Sequence, residues 1–257
     1  MGSVRVAAEG SLVIVTLDRP PVNAVDLAMY GEIRDTFNGL REAFPDGRVV
    51  VLDAAGRHFC GGNDIGDFET MTSSNAPQRM QGVREAFWAI HDCPLPVVAA
   101  VHGSALGTGL AIAASADLLV AAEDAVFGLP ELSVGAMGGA RHLARLVPQQ
   151  LVRKMFLTAD PVTGAELARA GGAASAVPAA ELPVAARALA ARIARHSPTA
   201  SRIGKRALNQ IEAMDLKSGY EAEQGYTGDM ADHPDAKEAL AAFREKRLPR
   251  YTPAEQS

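Results

Sequence analysis

Phe59-Cys60-Gly61-Gly62-Asn63-Asp64-Ile65 and, further along the chain, Gly103-Ser104-Ala105-Leu106-Gly107-Thr108-Gly109 are the two stretches that decide the reading of this sequence. Each is a glycine-rich turn that follows a short apolar run. Without a Cβ at Gly61 and Gly62 the backbone can come close to a ligand, and the N–H of Asn63 then faces it. The second turn opens a helical pattern, and a helix start favours developing negative charge, so the N–H of Thr108 is a second candidate donor. Leu129-Pro130-Glu131 then adds a carboxyl group. Two backbone donors aimed at one point suit an oxyanion, and a carboxylate beside them can move the proton whose loss creates it. Taken singly, each feature has a plainer reading. Glycine pairs punctuate turns, and a glutamate in a first helical turn complements the dipole. The combination points to an enzyme that stabilises an enolate.

Outward from these turns the chain alternates. The run 12–17 (LVIVTL) is short and β-branched and reads as a strand ended by Asp18-Arg19-Pro20-Pro21. Over 26–43, Leu27, Tyr30, Ile33 and Phe37 have helical spacing, with Asp26 as the cap. The stretch 48–52 (RVVVL) is a buried strand, 70–79 a polar loop and 80–91 a helix. A strand over 96–101 leads into the helix that begins near Gly107. Further short strands fall at 118–121 and 125–127. Strands alternating with helices predict an α/β core. Beyond Gly138 helices dominate, at 140–147, 149–157, 164–170, 183–195, 199–214 and 235–246. Residues 1–195 are expected to form the α/β core, and 196–257 a helical C-terminal region.

The bulk numbers narrow the function. The chain has 257 residues, 48% hydrophobic and 21% charged, enough for a substantial core. A net charge of −5 provides no overall basic field for nucleic acid, and one Trp with four Tyr leaves few stacking platforms. Cys60 and Cys93 form no CxxC pair and no metal cluster, which predicts a reduced, cytoplasmic setting and no metal. The first residues lack the layout of a signal peptide. The apolar segment 97–116 breaks at its glycines, so its halves are too short to cross a bilayer. A dinucleotide fingerprint around Gly107 and Gly109 is disfavoured, because its third small position falls on Ile112.

The motifs together resemble the crotonase superfamily, the enoyl-CoA hydratase/isomerase family, over nearly the whole chain. Leu17-Asp18-Arg19-Pro20 with Asn23-Ala24-Val25 resembles its "LxRP…NAL" opening, and Phe59 to Ile65 its "FxxGxDI" loop. Ala105 to Gly109 with Asp117 resembles "ALGGG…D". Phe127 to Glu131 resembles "FGxPE", and Phe243 to Pro249 resembles "FxEKRxP". The resemblance implies a crotonase-like spiral of ββα units whose helical C-terminal region mediates assembly as a homotrimer or dimer of trimers. It implies an acyl-CoA thioester held with its oxygen between the N–H groups of Asn63 and Thr108, with Glu131 as the proton carrier. Ala24, Gly61, Gly62, Asp64, Ile65, Gly107 and Pro130 then line the substrate. Phe243 and Lys246 approach the CoA nucleotide, commonly from a neighbouring subunit. No separate cofactor is implied, since coenzyme A is part of the substrate.

Departures from the family pattern bear on the reaction. Family hydratases carry two glutamates, and the first of these positions falls on Ala111. Thr108 stands where glycine is usual and Asn63 where a small residue is frequent. The segment from Gly135 to Leu143 is shorter than its counterpart. Hydration needs two proton carriers, whereas moving a double bond from the 3- to the 2-position needs one. The expected reaction is therefore double-bond isomerisation. Hydration of 2-enoyl-CoA is the close alternative, and Asp67, Glu69 or His142 are conceivable helpers that otherwise read as surface or helix-end residues. Lyase, decarboxylase and hydrolase reactions of the family stay open, as does a non-catalytic CoA-binding subunit. Met80, Phe87 and Trp88 read as core, with lining of the acyl pocket as the other option.

Overall fold

The structure is a computed structural model that describes residues 2–251; the end of the expected 196–257 region lies outside them. Its strands are β1 (Val4–Glu9), β2 (Leu12–Leu17), β3 (Val49–Ala54), β4 (Val97–Val101), β5 (Ser104–Leu106), β6 (Leu118–Ala122), β7 (Val126–Gly128), β8 (Val162–Thr163) and β9 (Ser175–Val177). Its helices are α1 (Leu27–Ala43), α2 (Ile65–Glu69), α3 (Ala76–His91), α4 (Thr108–Ser115), α5 (Ala140–Leu146), α6 (Gln149–Thr158), α7 (Gly164–Arg169), α8 (Leu182–Ile193), α9 (Pro198–Ile211), α10 (Leu216–Ala231) and α11 (Pro234–Glu245). One sheet runs in the order β1-β2-β3-β4-β6-β9 and a smaller one in the order β5-β7-β8.

The apolar runs without polar alternation form the centre of the larger sheet. Val49, Val50, Val51 and Leu52 of β3 and all of β4 are buried, and both strands pair in parallel with their neighbours. Parallel strands covered on both faces have this composition. Burying one such side chain contributes about 1.5–3 kcal/mol. Helix α8 packs on β3, β4 and β6, and α1 packs on α3. The core face of α1 is Met29, Tyr30, Ile33, Phe37 and Leu40, and Asp26 caps the helix by accepting from the Met29 N–H at 2.8 Å.

Several elements differ from expectation. Strand β1 is an edge that pairs antiparallel with β2; its residues are mostly exposed, so VRVAAE carries no burial pattern. The polar loop ends sooner than expected, since α3 starts at Ala76 with Pro77 in its first turn. Helix α10 holds Gly219, Gly225 and Gly228 and buries only Gly219, so its sequence lacks an amphipathic stripe. Asp215 caps it by accepting from the N–H groups of Lys217 and Ser218. Helix α11 stops at Glu245, where Lys246 takes a left-handed φ of 53°. Trp88 is not a core residue: it is 55% exposed while Phe87 is buried. Successive helical residues point about 100° apart, so one turns inward and the next outward.

Candidate active site

Three segments from distant parts of the chain lie side by side. Cys60 pairs with Ala105 in an isolated parallel bridge, and β5 pairs in parallel with β7. Hydrogen bonds run from Cys60 N–H to Ser104 O at 2.9 Å, from Leu106 N–H to Cys60 O at 3.0 Å and from Gly107 N–H to Gly128 O at 3.0 Å. Each segment then leaves its pairing and turns. The turns carry Asn63, Thr108 and Glu131, and all three line one cavity of about 370 Å³. Gly109 permits this approach, because a Cβ there would overlap the carbonyl oxygen of Cys60.

Asn63 follows Gly62, whose carbonyl accepts from Val25 N–H at 2.9 Å. Thr108 is the first residue of α4, where backbone N–H groups have no partner within the helix. Among the described residues no hydrogen bond occupies the N–H of Asn63 or of Thr108. The side chains of these two residues are tied together. Thr108 Oγ1 lies 3.0 Å from Asn63 Oδ1, and the hydroxyl of Tyr30 lies 2.6 Å from Asn63 Oδ1 and 2.7 Å from Thr108 Oγ1.

Glu131 begins a short 3-10 turn, 131–134, directly after Pro130. Its Oε1 lies against Gly107, and its Oε2 is buried without a hydrogen-bond partner among the described residues. Burial raises its pKa above the ordinary glutamate value. A carboxyl group in this state holds a proton more readily than an exposed one and can return it. Cys60 is no rival nucleophile: its thiol is buried and its pKa is pushed up to about 12.

The remaining residues expected at the site divide. Gly61, Gly62, Ile65, Gly107 and Pro130 line the cavity, and Ile65, at 76% exposure, stands on its rim. Asp64 is held elsewhere. It receives Arg19 at 3.0 Å and caps α2 through the Gly66 N–H, and the guanidinium lowers its pKa. The same Arg19 pairs with Asp26 at 2.9 Å and donates to the carbonyl of Ala24 at 2.8 Å, so both Asp64 and Ala24 brace the loop. Phe243 and Lys246 do not line the cavity of their own chain, and Phe243 is 82% exposed.

Ala111 is buried within α4 and does not reach the cavity. Of the conceivable helpers, Asp67 accepts from the Leu27 N–H at 2.8 Å. Glu69 ends α2 and is exposed, yet it lines the same cavity as Glu131. His142 is half-buried near the start of α5; its ring meets Phe87 edge-on at 4.9 Å, and burial lowers its pKa to about 4. Met80 lines a small neighbouring cavity that shares Asn63 with this one. Tyr30 was legible only as a core position of α1. The signal that could have marked it is chemical, since a buried tyrosine hydroxyl needs a partner.

A larger cavity, of about 510 Å³, is lined by Arg41, Arg202, Lys205 and Arg206. The candidate site is the 370 Å³ cavity, which is lined by the half-buried Glu131 together with Asn63 and Thr108. Among the described residues no group of three His, Cys, Asp or Glu side chains is placed to hold a metal ion, and no helix is long and apolar enough to cross a membrane.

Comparison with known proteins identifies the family and the fold. A family profile described as enoyl-CoA hydratase/isomerase matches residues 7–254. The chain is 40% identical, over 88% of both chains, to the "(7aS)-7a-methyl-1,5-dioxo-2,3,5,6,7,7a-hexahydro-1H-indene-carboxyl-CoA hydrolase" of Rhodococcus jostii. It is 32% identical to the 2,3-dehydroadipyl-CoA hydratase of Escherichia coli, over 98% of this chain and 99% of that one. The crystal structure of an enoyl-CoA hydratase from Bacillus anthracis superposes with a TM-score of 0.91 at 28% identity, covering 98% of this chain and all of the other.

Proposed function

The chain belongs to the enoyl-CoA hydratase/isomerase family, and from that membership we propose that it is a hydrolase acting on a keto-bearing acyl-CoA with one carboxylate: water adds to a keto carbon, the carbon–carbon bond from that carbon to the thioester α-carbon breaks, and the thioester enolate left behind takes up the proton that water gave. The N–H groups of Asn63 and Thr108 hold the thioester oxygen. Glu131 takes a proton from water or from the substrate and later returns it. Donors of this kind act where charge develops, and losing one costs about 3–4 kcal/mol. The acyl part is a keto-bearing ring system of the kind named for the Rhodococcus jostii protein. The observation that carries this reading is the unpaired, buried Oε2 of Glu131 in the cavity that Asn63 and Thr108 also line.

Double-bond isomerisation, the reaction expected from the sequence, is the second reading. Ala111 favours it, since it leaves the helix after the second turn without a carboxylate. Hydration by this chain would have to do without the carboxylate that family hydratases carry at that position, and Glu69 is the group in the cavity that would replace it. Assembly as a homotrimer or dimer of trimers through residues 196–257 belongs to the same proposal. Leu216, Phe243 and Leu248 stand exposed there as contact candidates, with Phe243 and Lys246 serving a neighbour's CoA.

The test is mass spectrometry and thiol release on three substrates: a fused-ring diketo acyl-CoA, a 3-enoyl-CoA and a 2-enoyl-CoA. Addition of water to the first supports the proposal, and free CoA tells thioester cleavage from ring cleavage. Turnover of the 3-enoyl-CoA alone selects isomerisation. Turnover of none of them overturns both readings.

A further inference from the structure

Asn63 and Thr108 depart from the small residues usual in this family, and the structure gives the two departures one explanation. Their side chains meet at the hydroxyl of Tyr30. Tyr30 Oη donates to Asn63 Oδ1 at 2.6 Å. The Thr108 hydroxyl lies 2.7 Å from Tyr30 Oη and 3.0 Å from Asn63 Oδ1, so its one proton is shared between those two acceptors. A glycine at position 108 or an alanine at position 63 would have no group to offer this triangle.

Tyr30 is well placed to be rigid. It sits on the buried face of α1 at 4% exposure, and its ring meets Phe87 edge-on at 6.1 Å. Phe87 in turn meets His142 edge-on at 4.9 Å. Burial raises the phenol's pKa well above its usual value, so the hydroxyl keeps its proton at any pH at which the protein works. The turn of Asn63 and the turn of Thr108 otherwise reach the site from different strands. Backbone bonds join the two turns to each other at Cys60 and Leu106, upstream of the two donor residues, while Val25 brackets Asn63 through Gly62 O and the Asp64 N–H without reaching Thr108. Among the described hydrogen bonds, the triangle is what joins the donor residues themselves.

We propose that Tyr30 is a positioning residue that sets the spacing of the two oxyanion donors, holding the N–H groups of Asn63 and Thr108 on one thioester oxygen through their side chains. The proposal rests on the reading of those N–H groups given above. Tyr30 touches no reacting atom. It acts through Asn63 and Thr108, so its loss changes how strongly the carbonyl is polarised more than how tightly the CoA portion binds. Side-chain networks of this kind couple non-additively.

The experiment is infrared difference spectroscopy on hexanoyl-CoA with an isotope-labelled thioester carbonyl, bound to the full chain, beside steady-state kinetics on whichever substrate turns over. In the wild-type protein the carbonyl band shifts to lower frequency on binding. In Tyr30→Phe, which keeps the ring and its packing, the shift shrinks and kcat falls about tenfold while KM changes less than twofold. Thr108→Val removes the triangle from its other end and does the same should Tyr30→Phe fold poorly; Thr108→Ser restores both readouts. The double variant Tyr30→Phe/Thr108→Val is no worse than Thr108→Val alone, since Thr108→Val already removes both bonds that tie Thr108 to the triangle. A full wild-type shift that survives in Tyr30→Phe with unchanged kcat overturns the role of Tyr30 alone. A wild-type protein that binds the thioester with no shift overturns the donor pair itself, and Tyr30's role with it.

Discussion

The carboxyl oxygen Oε1 of Glu131 lies so close to Gly107 that a Cβ on that glycine would stand 2.9 Å from it. Gly107 also has a φ of 53° with a ψ of −113°, a conformation closed to residues with a side chain. The glycine that starts the second turn therefore does two things: it lets the chain bend into α4, and it leaves room for the proton carrier. Gly107→Ala is predicted to lower stability by about 1–3 kcal/mol from backbone strain. It is also predicted to cost more activity than its stability loss accounts for, because Glu131 is displaced. Denaturant titration and kcat/KM on the same preparation check both.

Replacement of Glu131 by glutamine keeps the shape and removes the titration. Turnover is predicted to fall by about a hundredfold or more. Stability is predicted to move the other way. Burial raises the folded-state pKa of Glu131, so its contribution to stability is fully present below the unfolded pKa and is lost as pH rises through the folded one. At neutral pH the wild type carries that cost and Glu131→Gln does not. Thermal melts of both proteins at acidic and neutral pH should show the variant gaining in Tm only at the higher pH.

The same raised pKa fixes the sign of the rate profile. Glu131 must be ionised to accept a proton, so kcat/KM is predicted to fall on acidification at a pH above the ordinary glutamate range. Burial pushes the His142 pKa down to about 4, so the acidic limb is predicted not to come from His142. A pH–rate profile of His142→Asn that matches the wild type in shape supports the assignment, and a displaced acidic limb contradicts it.

The buried ammonium of Lys205 joins α9 to the parallel sheet. It is 2.7 Å from Asp117 and donates to the carbonyl oxygens of Leu95 and Ile90 at 3.2 and 3.4 Å, while Asp117 also accepts from the Val97 N–H at 2.7 Å. Lys205→Met is predicted to destabilise by about 2–4 kcal/mol, since it removes the cationic partner of Asp117 and a donor to the Leu95 carbonyl; the partial exposure of Asp117 softens the loss. Urea titration measures this directly, and a change below about 0.5 kcal/mol would show that water takes over the vacated bonds.

Legibility in the sequence followed the physics of each signal. The buried runs of β3 and β4 and the apolar face of α1 were legible because one face of each must be apolar to fold at all. Asn63, Thr108 and Glu131 were legible because glycine turns and a Pro-Glu step mark the backbone around them. Tyr30 was hidden, because its spacing says only that it is buried and not that its hydroxyl bridges two distant turns. Helix α10 was hidden behind its glycines, and β1 behind its exposure, since neither buries a stripe. The structural bracing of Asp64 and Ala24 by Arg19 depends on contacts that no local pattern encodes.

The central claim is geometric, and one measurement addresses it most directly: the distances from the thioester oxygen of a bound acyl-CoA to the backbone nitrogens of Asn63 and Thr108, in a crystal of the Glu131→Gln protein. The account predicts that both lie at about 2.7–3.1 Å, with the position-131 side chain beside the reacting end of the acyl group. An oxygen bound by neither nitrogen, or an acyl group seated away from residue 131, would contradict it.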